Sequence, residues 1–236
     1  MDPRHSNEHT TRTFYDRISG AYDLIADASE HSARDAGLAA LGAAPGEVVL
    51  EIGFGTGHAL EDLARAVGSS GRVAGVDLSS GMMEVARRRL EKAGLEQRVE
   101  LKLGDARDLP YRDGSFDAVF LSFTLELFEG AEIPQVLAEI RRVLRSPGAG
   151  STNPRLGVVS LTPGEHPGLA VNIYRWFHRH FPHFVDCQPI PVVELLEAAG
   201  FEILHSEEQD MWHLPVAILV ARPAATAPPT LPGPGA

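Results

Sequence analysis

Short apolar runs recur along the chain at Val48–Ile52, Val73–Val76, Val99–Leu101, Ala118–Leu121, Leu156–Leu161 and Leu214–Val220. Each has the length of a strand. Apolar positions at helical spacing fill most of the intervals, at Ala59–Val67, Ser80–Ala93, Ile133–Leu144 and Val192–Ala199. Gly94 and Gly200 follow two of these stretches and supply their stops. Strands that alternate with helices predict a parallel sheet covered by helices. After Gly200 two strand-like runs, Phe201–His205 and Leu214–Val220, follow with no helix between them. They predict a β-hairpin that closes the sheet with one antiparallel strand.

Ahead of the first strand, Phe14–Leu41 carries helical spacing in Phe14, Ile18, Tyr22 and Ile25. It is too short to fold alone and is expected to lie across the domain. "SPGAGSTNP", Ser146–Pro154, reads as a loop, and the Pro/Ala-rich end from Pro223 onward reads as disordered. The expected organisation is an N-terminal helical lid over 1–44, one domain over 45–222 with a second lid segment inserted at about 163–190, and a tail over 223–236.

Composition narrows the function classes. A chain of 236 residues with 44% hydrophobic and 22% charged residues has room for one α/β domain with a sizeable core, and is not a disordered polymer. The net charge of -11 opposes binding to a phosphate backbone, and the nearest basic cluster, Arg87-Arg88-Arg89, falls on one turn of a predicted surface helix. Nucleic acid is therefore not an expected partner. The single cysteine, Cys187, makes neither an internal disulfide nor a thiolate zinc site, which fits a reducing, cytoplasmic setting. No apolar run approaches the roughly 18 residues of a membrane span. Peripheral contact with a bilayer stays compatible with an apolar substrate.

The chemistry starts at "VVLEIGFGTGH", Val48–His58, where a strand runs into Gly53, Gly55 and Gly57. The dinucleotide fingerprint needs a third glycine where this chain has His58, and nothing resembles the Lys-Ser/Thr ending of a phosphate loop. A turn lined by backbone, with Glu51 just ahead of it, suits a ligand bearing an ammonium and a carboxylate. The methionine end of S-adenosylmethionine (SAM) is such a ligand. The second strand ends at Asp77, placed to accept from both ribose hydroxyls, with Leu78 beside it and Met82 a candidate adenine wall. NAD would use the same acid. The third strand leads into Gly104-Asp105-Ala106, where an Asp can accept from an adenine amino group. Singly, these residues also serve as turn glycines, helix N-terminal acids and caps. Their joint placement at strand C-termini, where open α/β sheets bind ligands, favours a ligand site.

Six strings in order, "YDRISGAYD", "VLEIGFGTG", "VAGVDLSSGMMEVAR", "GDARDLPYRDGSFDAVFLSF", "EIRRVLR" and "LLEAAGFEIL", resemble the class I SAM-dependent methyltransferases, in the branch of the UbiE-like quinone C-methyltransferases. The likeness covers about Tyr15 to Arg222. It implies a Rossmann-like, mostly parallel seven-stranded sheet of order 3-2-1-4-5-7-6. It also implies that Thr56, Asp77, Asp105, Ala106 and Ser122 contact the cofactor, with Tyr15 and Tyr22 near the methyl group.

Acceptor chemistry falls to the segments expected to cover the strand tips. His166, His178, His180 and His183 lie there among Tyr174, Trp176, Phe177, Phe181 and Phe184. A helix over Leu169–Phe181 puts Tyr174, Phe177, His178 and Phe181 on one face, a lining for a planar apolar substrate, with His178 and Tyr174 as catalytic candidates. The same stripe also suits an ordinary core, and no carboxylate or cysteine completes a metal shell around the histidines. Quinone C-methyltransferases tend to carry an Arg-Asn pair after the fourth strand. This chain has "SFTLELFEG" instead, whose Glu126 is a candidate anchor for a cationic amine. The expected function is therefore methyl transfer to a small apolar acceptor, first a prenylated quinol, then a lipid amine or secondary metabolite by N- or O-methylation. A non-catalytic SAM-binding protein and an NAD-dependent oxidoreductase are the readings from other classes.

Overall fold

The computed structural model describes residues 27–146, 153–163, 189–211 and 214–225. In chain order these form α1 (Asp27–Leu41), β1 (Val48–Ile52), α2 (His58–Val67), β2 (Arg72–Asp77), α3 (Ser80–Ala93), β3 (Val99–Leu103) and β4 (Ala118–Ser122). A short 3-10 turn, Leu125–Leu127, leads to α4 (Ile133–Val143), β5 (Arg155–Leu161), α5 (Val192–Ala198), β6 (Phe201–Met211) and β7 (Leu214–Pro223). The strands form one seven-stranded sheet of order β3-β2-β1-β4-β5-β7-β6, and β7 runs antiparallel to both of its neighbours. Both the implied order and the closing hairpin are present.

Alternation along each strand divides the interior into two layers. Leu50, Ile52, Val119, Leu121 and Val158 pack under α4 and α5. Val49, Val73, Phe120 and Val159 face α1, α2 and α3. The helix limits follow local chemistry. The Ser79 hydroxyl accepts from the Met82 N–H at 3.2 Å to start α3, and Gly94, in the left-handed region, ends it.

The clearest departure from the sequence pattern is β6, expected over Phe201–His205 and found to extend to Met211. Its second half, Ser206–Asp210, is polar and mostly exposed because β6 is an edge strand held through its pairing with β7. A register shift between Ile203 and His205 leaves Leu204 turned outward.

Helix α1 lies against β4, β5, β6 and β7, and two features fix it there. The buried Arg155 guanidinium, at the start of β5, donates to the carbonyls of Leu41 (2.6 Å) and Gly42 (2.9 Å) and pairs with Glu47 at 2.8 Å. Gly37 brings the helix so close to the sheet that an added Cβ would stand 2.3 Å from Val159 Cγ2. Gly37→Ala should therefore destabilise the fold by about 1–2 kcal/mol, the overpacking cost outweighing the gain in helix propensity. Urea unfolding measures it, and a stabilised variant would contradict this packing.

Candidate functional site

The glycine turn joins β1 to α2 at the C-terminal edge of the sheet. Gly53 and Gly55 both have positive φ, 71° and 49°. A Cβ at Gly53 would collide with Thr124 Oγ1 at 2.3 Å, so this glycine lets the β4 connection close against the turn. A Cβ at Gly55 would meet nothing within 4 Å, so there only the backbone conformation requires glycine and the turn presents bare backbone outward. Thr56 is buried, and its carbonyl accepts from Arg89 Nε at 3.0 Å.

Glu51 sits on the face of β1 where its neighbour two residues back, Val49, packs into the core. Its side chain is 3% exposed, and Oε2 has no hydrogen-bond partner. Burial pushes its carboxyl well above the ordinary range. The nearby Arg34 guanidinium opposes that rise, while Asp77 and Asp62 add to it. An acid kept there without a donor is a socket for a cation. Arg34 comes from α1, as does His31, whose ring centroid lies 5.1 Å from that of His58. Neither Arg34 nor His31 stands out in the sequence beyond the helical spacing of Phe14–Leu41.

Asp77 ends β2. Its Oδ2 accepts from the Gly55 N–H at 2.9 Å and its Oδ1 from the Ser79 N–H at 2.8 Å, so one carboxylate tethers both the glycine turn and the start of α3. Leu78, next to it, is 49% exposed, an apolar surface beside an acid. Met82 is 2% exposed and belongs to the interior, whereas Met83 is partly exposed.

Asp105 follows β3. Its carboxylate receives the Arg107 N–H on Oδ1 at 2.8 Å and Arg107 Nε at 3.0 Å from each oxygen, with Nη2 on Oδ2. Burial raises the Asp105 carboxyl, but the Arg107 hydrogen bonds and charge outweigh it and hold the group below the usual range. Ala106 is buried beside it. The sequence offers no signal for Arg107, because its role depends on a turn that folds it back by two residues.

At the tip of β4, Ser122 is half-buried and its carbonyl accepts from Thr124 Oγ1 at 3.0 Å. Phe123 has φ 50°, which a bulky side chain rarely adopts, and its N–H donates to the Val159 carbonyl at 2.8 Å. Glu126 lies in the 3-10 turn and is 2% exposed, so it is no surface acid. Its Oε2 accepts from Ser160 Oγ and its Oε1 from the Leu161 N–H, each at 3.1 Å. Burial pushes its carboxyl up to about 7 against those bonds.

The structure thus gathers Glu51, Gly53, Gly55, Thr56, Gly57, Asp77, Leu78, Asp105, Ala106 and Ser122 at or just beyond the C-terminal ends of β1 to β4. Tyr15, Tyr22, Tyr174 and His178 lie outside the described residues. No helix among the described residues is long and apolar enough to cross a membrane.

Comparison with known proteins agrees with the fold. A methyltransferase-domain family model matches residues 49–148. The demethylmenaquinone methyltransferase of Lactobacillus johnsonii is 31% identical over 181 residues, covering 75% of this chain and 70% of that protein. The 2-phytyl-1,4-naphtoquinone methyltransferase of a Nostoc species is 33% identical over 138 residues, 57% of this chain and 59% of that one. The chain spans between 37% and 70% of the length of the first curated relatives it matches. A SAM-dependent methyltransferase from Aquifex aeolicus has the same fold, with a TM-score of 0.63 at 21% identity over 88% of this chain and 98% of that one.

Proposed function

The chain belongs to the class I SAM-dependent methyltransferases, in their UbiE-like branch, and on that premise we propose that its acceptor is small and apolar, best represented by the ring carbon of a prenylated quinol. The Lactobacillus relative, a demethylmenaquinone methyltransferase matched over most of its length, carries this reading.

The residues fit the cofactor. When bound, SAM supplies an electrophilic sulfonium methyl group to a nucleophile in line with the carbon–sulfur bond. Glu51, buried and unpartnered at Oε2, receives the methionine ammonium, and the bare backbone at Gly55 admits the methionine chain. Asp77 accepts from the ribose hydroxyls while keeping Gly55 in place. Asp105 and Ala106 take the adenine, and Leu78 offers it an apolar face. Ser122 ends β4 on the side of the methyl group, and the resemblance assigns Tyr15 and Tyr22 to the same end of the cofactor. Such an enzyme works mainly by orienting the acceptor and excluding water. A quinol carbon gains from a base that removes the ring hydroxyl proton, and we assign that role to His178, with Tyr174 as the second candidate.

Transfer of labelled methyl from SAM to demethylmenaquinol, with a lipid amine as competitor, tests the acceptor. Label in the quinol is expected, and label in the amine alone would overturn it. His178→Ala should lower turnover on the order of 10²-fold and leave the affinity for S-adenosylhomocysteine unchanged. Loss of that affinity as well would remove His178 from the role.

A further inference from the structure

A carboxylate has about four lone-pair positions for hydrogen-bond donors. At Asp105, the backbone N–H of Arg107 takes one on Oδ1, at 2.8 Å. The guanidinium of the same residue adds two more protons, its Nε–H shared at 3.0 Å between both oxygens and its Nη2 donating to Oδ2. Three donor protons thus meet about four acceptor positions, which leaves capacity for one more. Arg107 is itself held from the far side. Its Nη1 pairs with Glu132, which also accepts from the Glu129 N–H at 3.2 Å, and its carbonyl accepts from Gln135 Nε2 at 3.0 Å. The pair is only partly exposed, so a fork of this geometry fixes the carboxylate plane.

We propose that Arg107 is a positioning residue for purine selection: by setting three donor protons against the roughly four acceptor positions of Asp105 it holds the carboxylate in place and leaves room for one N–H of an exocyclic amino group. A 6-amino purine supplies that N–H, and a 6-oxo purine sets a lone pair against a carboxylate. This rests on the assignment of Asp105 to the adenine. The contribution of Arg107 passes through Asp105 and reaches, by way of Glu132 and Gln135, the start of α4.

The test compares the dissociation constants of S-adenosylhomocysteine and S-inosylhomocysteine, by calorimetry on the full chain, for the wild type, Arg107→Ala, Arg107→Lys and Asp105→Asn. The wild type should prefer the adenosyl ligand. Arg107→Ala should lower that preference about tenfold, mostly through weaker adenosyl binding, as one charge-assisted hydrogen bond loses its alignment. Arg107→Lys keeps the charge without the fork and should fall between. If Asp105→Asn lowers the preference and Arg107→Ala does not, the positioning role is wrong while the adenine assignment stands. If neither changes it, the adenine assignment falls and this proposal with it. Equal weakening of both ligands by Arg107→Ala would mark a merely structural residue and overturn the proposal.

Discussion

Asp77→Ala should weaken SAM binding by about ten- to a hundredfold, the effect of removing one charge-assisted acceptor. Two losses coincide in this variant. The ribose hydroxyls lose their carboxylate, and the N–H groups of Gly55 and Ser79, at 2.9 and 2.8 Å from it, lose the acceptor that ties the glycine turn to β2. Titration with SAM and with S-adenosylhomocysteine should report the same loss for both, since neither interaction involves the methyl group. Thermal unfolding should fall as well, because Ser79 is 3% exposed and its N–H loses this acceptor away from water. Unchanged affinity for both ligands would remove Asp77 from the site.

Glu51→Gln should move stability and affinity in opposite directions. Burial raises the Glu51 carboxyl well above its ordinary range, with Arg34 opposing and Asp77 and Asp62 reinforcing. The folded protein therefore keeps this proton to a higher pH than the unfolded chain does. The stability linked to Glu51 is complete below the ordinary carboxylate range and is lost as pH rises toward the raised value. A glutamine has no such loss, so the variant should be more stable than the wild type near neutrality by on the order of 1–3 kcal/mol, and the gap should close in acid. Glu126, raised to about 7, contributes the same slope to both proteins and drops out of the difference. SAM affinity should fall at least about tenfold, because an amide cannot match a carboxylate for an ammonium. Denaturant unfolding across pH, together with calorimetry, reads both quantities. A variant that lost stability at neutral pH would show that Glu51 is held ionised in the fold.

The sequence pattern reaches far where local chemistry decides. Val48–Ile52 and Ser80–Ala93 have the bounds their residues predict because a glycine turn closes the strand, and a serine cap and a left-handed glycine close the helix. The same locality brings Asp77 and Asp105 to strand ends. It fails where the partner is remote. The polar half of β6 is a strand only because β7 pairs with it, and no period-2 apolar signal marks a solvent-facing edge. Glu126 reads as an acid able to anchor an amine and is instead buried, with β5 supplying donors to both of its oxygens. Phe123, just past the predicted strand, carries no signal in the sequence for its left-handed backbone, which accompanies the turn that follows β4 and its bond to Val159. Arg107 gains its second carboxylate partner, Glu132, only when the start of α4 stands opposite it.

Leu161 is held on both sides of its peptide unit: its N–H donates to Glu126, its carbonyl accepts from the Ile190 N–H at 3.1 Å, and the next amide, of Thr162, is tied to the Pro215 carbonyl at 3.0 Å. The chain between Pro163 and Gln188 therefore leaves and rejoins the sheet at one fixed point. Because closure entropy grows only with the logarithm of length, about 0.6 kcal/mol per doubling, segments of quite different size can be spliced into that point without disturbing the strands. If the acceptor chemistry lies in this segment as proposed, chimeras joined at Leu161 and Ile190 should change the acceptor and leave the affinity for SAM as it is.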